Sequence, residues 1–235
     1  MALIQTAAAF ALGTMVAFDS WGYMMPHLNP LDTLLLANKQ NRAPVFPIAL
    51  ILPDEDPVNE RFAHNVYMRP AAANALEEMF EAAKAEGQKL YVLSGFRSYA
   101  TQKAIFDKKK RERGEKEANV SSAKPGYSEH QTGLAMDFEG DSLLGKGLIA
   151  EIGESPEGKW AAENCWKYGF ILRYPKGKTY LTGYIYEPWH VRYVGKAASK
   201  EIHEMDVTFE EYLQAERSRR IQSLSGGENE THQLD

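Results

Sequence analysis

The ten residues from Ser128 to Asp137, SEHQTGLAMD, limit the folds open to this chain more than any other stretch. They set His130 and Asp137 seven positions apart with Gly133 between them, and far downstream the run YEPWH supplies Glu187 and His190. Two imidazoles and a carboxylate are a borderline-hard donor set that suits Zn²⁺. Three such ligands leave a fourth tetrahedral position open, as a hydrolytic site requires. Used together, these residues require the chain to come back on itself between residues 137 and 190. Glu187 is then a candidate base, because a carboxylate beside such a site can take a proton from water and later hand it to a leaving amine. A His-x6-Asp pair alone reads as structural, so the assignment depends on its company.

Local spacing is compatible with a shared site. Gly133 permits a close turn after His130. If GLAMD is a strand, Leu134 and Met136 face one way and Ala135 and Asp137 the other, so Asp137 can point toward a cleft. Pro188 stiffens the backbone between base and ligand. The other four histidines are poorer candidates. His27 and His64 lie in a loop-rich lead-in without an acidic or histidine partner at ligand spacing, His203 lies on a charged helix face, and His232 lies in a polar tail.

The chain of 235 residues is 44% apolar and 25% charged, ordinary values for a soluble globular protein. A net charge of −5 argues against a nucleic-acid partner, which selects a basic face. The densest basic run, Lys108 to Arg113, is followed at once by Glu115, Lys116 and Glu117 and reads as a solvated helix end. One cysteine, Cys165, excludes an intrachain disulfide and a multi-cysteine zinc site; within AAENCWKYGF it reads as a buried thiol. Residues 1–18 carry no charge and resemble the apolar core of an export signal without its positive leader. They are read as a truncated or wrongly started signal or anchor, the alternative being an apolar segment packed on the domain.

Ser20 to Pro57 holds six prolines and reads as an extended lead-in, with LDTLLLANKQNRAP as a short strand or turn. Ala71 to Gly87 has helical periodicity and a glycine stop. KLYVLSGF then reads as a buried strand and YATQKAIFDKKKRERG as a helix ending at Gly114. TGLAMDFEG reads as a strand, and PEGKWAAENCWKYGF as a helix ending near Gly169. ILRYP, TGYIYEPW and HVRYVG read as strands or strand ends, with closing helices over Ala197 to Met205 and Thr208 to Arg217. The expected organisation is one α+β domain over residues 19–215, with a polar, frayed tail at 216–235.

The runs SGFRSYATQ, PGYSEHQTGLAMDF and YGFILRYPKGKTYLTGYIYEPWHVRYVG stand in this order between about Leu31 and Gly195. Together they resemble the VanY-type zinc D-alanyl-D-alanine carboxypeptidases, part of a superfamily with lysostaphin-type peptidases and the zinc domain of hedgehog proteins. The resemblance implies a central, mainly antiparallel sheet flanked by helices. The family's S-x-H-x(6)-D motif falls on Ser128, His130 and Asp137, and its E-x-W-H motif on Glu187, Trp189 and His190. This implies His130, Asp137 and His190 as ligands of one Zn²⁺ per chain and Glu187 as catalytic base. The S-G-[FY]-R-S motif with a later Gln falls on Ser94 to Ser98 and Gln102. It implies that Arg97 holds the substrate near the scissile carbonyl or the terminal carboxylate.

A guanidinium suits a free α-carboxylate through paired donors, and equally an oxyanion; both roles stay open for Arg97. Gln102, Ser128 and Trp189 are further substrate-binding candidates, Ser128 with the alternative of shaping its loop. The implied partner is a peptidoglycan stem peptide ending in D-alanine. The implied place is the bacterial cell envelope outside the cytoplasm, as a monomer, exported or attached through the N-terminal segment. Two rivals remain: an L,D-carboxypeptidase or endopeptidase using the same ligands, with specificity set by the lead-in and Gly140 to Pro156, and a non-catalytic zinc-stabilised wall-binding module.

Overall fold

The computed structural model describes residues 32–43, 49–55 and 66–227; the apolar segment 1–18, His27, His64 and His232 lie outside the described residues. Helix α1 (Pro70–Ala85) starts on a proline, whose missing N–H costs nothing at the first helical position. Ala72, Ala73, Leu76, Met79, Phe80 and Ala83 recur along it as a buried stripe. Its stop is Gly87, at φ 79°, in the left-handed region where a side chain is strained.

Strand β1 (Leu90–Ser94) follows, then helix α2 (Tyr99–Ser121), capped by the Ser98 hydroxyl accepting from the Thr101 amide at 3.1 Å. The expected end at Gly114 is a kink instead: Gly114 leaves helical geometry at φ 82°, and the helix resumes to Ser121. Strand β2 (Ala135–Gly140) is wholly buried. Helix α3 (Pro156–Asn164), capped by Ser155, tightens into a 3₁₀ turn over Cys165–Tyr168 that Gly169 closes in the left-handed region. Cys165 is buried in that turn, and burial pushes its thiol up to about 12, as an inert core thiol should be.

Strand β3 (Phe170–Leu172), the single-turn helix α4 (Thr179–Thr182), strand β4 (His190–Tyr193) and helices α5 (Lys196–Met205) and α6 (Phe209–Gly227) complete the order. The stretch TGYIYEPW forms no strand. Gly183 ends α4 at φ 78°, Pro188 has no amide to offer a ladder, and the segment is held at its end by the Glu187 amide donating to the Tyr174 carbonyl. The lead-in forms a turn organised by Asn38, whose side-chain oxygen accepts from the amides of Gln40 and Asn41, both at 3.0 Å. Helix α6 continues past residue 217, where the sequence offers little apolar periodicity, through Gly227.

The four strands form one antiparallel sheet in the order β1-β2-β4-β3. Helix α1 covers one face, burying Val92, Met136, Phe138, Phe170 and Val191; Phe80 meets Phe138 edge to face at 6.5 Å. A second cluster, with Ile171, Val194, Ile202, Phe209 and Tyr212, seats α5 and α6. The α+β reading with a central antiparallel sheet and flanking helices is the observed fold.

Candidate active site

Strand register builds most of the site. Asp137 on β2 pairs directly with His190 on β4, and a bulge in β1 between Val92 and Ser94 places Ser94 opposite Asp137 on the other side. Paired residues on neighbouring strands project from the same face, so three side chains form one row across the sheet. His130 joins from the 3₁₀ turn Glu129–Thr132, which Gly133 closes at φ 69° before β2 begins. Glu187 precedes β4 by one turn, the His190 amide donating back to the Glu187 carbonyl.

His130, Asp137 and His190 are all buried, and one ligand atom from each lies within 4.8 Å of the others. His130 Nε2 stands 3.3 Å from Asp137 Oδ2, and His190 Nδ1 stands 2.9 Å from Asp137 Oδ1. Two ligands each ~2.0–2.1 Å from a tetrahedral ion lie roughly 3.3 Å apart, so the spacing fits Zn²⁺. The outward nitrogens are occupied in the sense a metal requires. His130 Nδ1 donates to the Gly95 carbonyl at 2.7 Å, leaving Nε2 with its lone pair toward the centre. His190 Nε2 faces Glu129 Oε2 at 3.4 Å, leaving Nδ1 inward. Gly95 can take this place because a Cβ there would fall 2.6 Å from the Tyr67 carbonyl oxygen.

Glu129 carries a role that the sequence reading missed. Its Oε1 accepts from Arg173 Nε and Arg192 Nη1, each at 2.8 Å, while Arg173 also forks onto Glu210 at 2.6 and 2.9 Å. Burial alone raises a carboxyl pKa; the charges of Arg173 and Arg192 outweigh it and hold Glu129 well below the usual range. The signal was available: ILRYP and HVRYVG each place one arginine inside an apolar strand, and a buried guanidinium demands a carboxylate. Burial likewise lowers the His190 pKa by itself, but hydrogen bonds to Asp137 and Glu129 raise it to about 9.

Arg97 lies at the edge of this centre. Its Nη1 donates to Gln102 Oε1 at 2.9 Å and its Nη2 to Ser94 Oγ at 3.0 Å, and Nη2 is 3.8 Å from Asp137 Oδ2. Gln102 is fully buried, and its amide nitrogen is committed to the Ala123 carbonyl at 2.6 Å and to Ser122 Oγ at 3.3 Å. Gln102 thus also holds Arg97 in place, its side-chain oxygen on the guanidinium and its side-chain nitrogen on the loop after α2. Ser128 is buried, and its hydroxyl makes no cap bond to the turn that it precedes. Trp189 belongs to the hydrophobic core and not to the cleft, because alternation along the chain sends it to the face opposite His190. Tyr174 meets both Tyr184 (4.7 Å) and His190 (5.0 Å) with tilted rings, packing against the imidazole from one side.

Glu187 carries the electrostatic signature of a base. Burial is the main cause that raises its pKa to about 7; His190, Lys109 and Arg97 draw it down, and Asp137 pushes it up. His130, Asp137 and His190 thus come together with Arg97 at their edge and Glu187 one turn before His190, while Gln102 supports Arg97.

Comparison with known proteins places this geometry. A family model described as D-alanyl-D-alanine carboxypeptidase, VanY, matches residues 65–196. The putative carboxypeptidase YodJ of Bacillus subtilis (strain 168) is 48% identical over 188 residues, which are 79% of this chain and 68% of that protein. Among solved structures, the LdcB LD-carboxypeptidase superposes with a TM-score of 0.73 at 46% identity, covering 81% of this chain and 88% of the other. A vancomycin-resistance D,D-pentapeptidase VanY in complex with Zn(II) gives 0.65 at 34% identity, covering 77% and 98%.

Proposed function

The chain belongs to the VanY family of D-alanyl-D-alanine carboxypeptidases, and from that premise we propose that His130, Asp137 and His190 hold its zinc and that Glu187 and Arg97 act on a peptidoglycan stem peptide. The protein is a zinc carboxypeptidase that hydrolyses the C-terminal D-alanine of such stems. The observation that carries the residue assignment is the convergence of three buried ligand atoms, with Arg97 3.8 Å from Asp137 and Glu187 on the turn that leads into His190.

Bound Zn²⁺ supplies a Lewis acid for the scissile carbonyl and a nucleophile at neutral pH. Glu187 removes the proton of the attacking water and returns it to the departing D-alanine amine. Arg97 is pre-oriented by Gln102 and Ser94, which use only part of its five N–H donors and leave others for a terminal carboxylate or an oxyanion. Arg97→Lys removes the planar fork while keeping the charge. It is expected to lower kcat/KM by roughly 10–100-fold, the worth of one charge-assisted pair. Steady-state kinetics checks this, and a change confined to KM favours the carboxylate role over the oxyanion role.

A second reading concerns the bond. The likeness to the LdcB LD-carboxypeptidase favours L,D cleavage of tetrapeptide stems, with the same ligands. Digesting defined tri-, tetra- and pentapeptide stems and weighing the products separates the two. Loss of one alanine from pentapeptide alone supports D,D cleavage; cleavage of tetrapeptide alone refutes it. Such substrates lie outside the cytoplasmic membrane, which supports an extracytoplasmic role. Among the described residues no helix is long and apolar enough to cross a membrane, and the candidate anchor at 1–18 lies outside them.

A further inference from the structure

The site stands on a buried charge network that closes at the start of helix α6. Arg173 and Arg192 are fully buried, and a buried guanidinium is costly unless its charge is matched and its N–H groups are engaged. Both donate to the same oxygen, Glu129 Oε1, each at 2.8 Å. Their remaining nitrogens are held from elsewhere. Arg192 Nη2 donates to the lead-in carbonyls of Thr33 at 2.9 Å and Leu35 at 2.6 Å, and its Nε donates to the Tyr193 carbonyl at 3.1 Å. Arg173 gives both terminal nitrogens to the Glu210 carboxylate, at 2.6 and 2.9 Å. Glu129 Oε2 is thereby left to His190 Nε2, 3.4 Å away.

The start of α6 is built to hold that fork. Thr208 and Glu211 cap the helix reciprocally: the Glu211 carboxylate accepts from the Thr208 amide at 2.8 Å, and the Thr208 hydroxyl accepts from the Glu211 amide at 3.3 Å. Buried Phe209 sets its ring against both guanidiniums, 5.4 Å from Arg173 and 5.1 Å from Arg192. Asn38, which organises the lead-in turn, donates to Glu210 Oε1 at 3.1 Å. Two guanidiniums thus meet two carboxylates, one from the turn that carries His130 and one from α6. Without the Glu210 charge, Arg173 has two buried terminal nitrogens to satisfy, and Glu129 is the carboxylate that it already touches. The oxygen drawn toward Arg173 is then Oε2, the one that faces His190.

We infer that Glu210 is a positioning residue for the metal centre: by occupying Arg173 it keeps Glu129 Oε2 on His190, and so aims the His190 ring with Nδ1 inward. This role rests on the reading of His190 as a zinc ligand, and it extends the working site to the first turn of α6. An outer partner of a ligating imidazole fixes its orientation and contributes to metal affinity, and Glu210 acts on that partner through Arg173.

The test is Glu210→Gln in the full chain, which keeps the shape of the side chain and removes its charge. Zinc affinity, measured by chelator competition, is expected to fall about tenfold, the low end of what loss of an outer hydrogen-bond partner costs a metal site. The visible spectrum of the Co²⁺-loaded protein should shift as well, because its bands report ligand geometry, which an ion pair that only braces the fold leaves unchanged. The same substitution in a Glu129→Gln background should cost no further affinity, since both residues act by one route. Unchanged zinc affinity and cobalt spectrum in folded Glu210→Gln, even with a lowered melting temperature, overturn the inference and leave the ligand assignment intact. An equal loss in both backgrounds overturns the route through Glu129. A wild type that holds no zinc overturns the ligand assignment and the inference with it. Should circular dichroism show Glu210→Gln unfolded, Glu210→Asp, which sets the charge one methylene back, takes its place. A smaller loss of affinity in the same direction then supports the inference, and unchanged affinity and spectrum overturn it.

Discussion

Glu187→Ala will lower kcat/KM for stem-peptide hydrolysis by about 10²–10⁴-fold while the protein keeps its zinc, the span typical of losing a positioned general base. The separation of the two effects follows from geometry. The ligand atoms come from His130, Asp137 and His190, and Glu187 reaches the centre from the turn before β4. Its protonation also predicts a pH profile. A base works only when ionised, so activity rises with pH through its folded pKa. Burial raises that value to about 7 without a metal, and a bound dication beside the carboxylate lowers it. The acidic limb of kcat/KM therefore falls below pH 7, and Glu187→Gln should abolish it in whatever activity remains. Metal analysis and pH–rate profiles of the two variants check both statements. An alanine variant that loses zinc would make Glu187 a ligand instead of the base.

His130→Ala will lose zinc, by more than the about 10–100-fold that removal of an outer hydrogen-bond partner costs a metal site. Two ligands remain, and the Nδ1 bond that aims His130 through the Gly95 carbonyl is lost with the ring. The fold should survive, because Asp137 keeps His190 at 2.9 Å and Arg97 at 3.8 Å, so no buried carboxylate is stranded. Zinc titration against a fluorescent chelator, with circular dichroism on the same sample, measures affinity and fold separately. Unchanged stoichiometry at nanomolar chelator refutes the ligand assignment.

Much of this was legible in the sequence because the chemistry there is local. His130 and Asp137 share a turn and a strand, and Glu187 and His190 share one turn, so short-range periodicity gives their relative directions. The helix α1 stripe and the strand at Ala135–Gly140 follow from apolar spacing alone. What sequence could not give depends on pairing. The β1 bulge that aligns Ser94 with Asp137 and His190 exists only once three strands associate. The arginines of ILRYP and HVRYVG signal a buried carboxylate, but that it is Glu129 depends on the fold, since Arg173 and Arg192 are 44 and 63 residues away from it. Gln102 and Trp189 were assigned to the cleft from the motif. The tertiary fold sets the first against Arg97 as its support and packs the second in the core. TGYIYEPW had strand composition but no partner, and Gly183 with Pro188 leaves it a loop.

The zinc chemistry and the residue assignment stand together in one measurement: restoring zinc stepwise to chelator-treated protein while following alanine release from a pentapeptide stem. The account predicts hydrolysis that rises in proportion to zinc and stops rising at one zinc per chain. Full activity without zinc, or one tightly held zinc per chain with no alanine released from any stem, would contradict it.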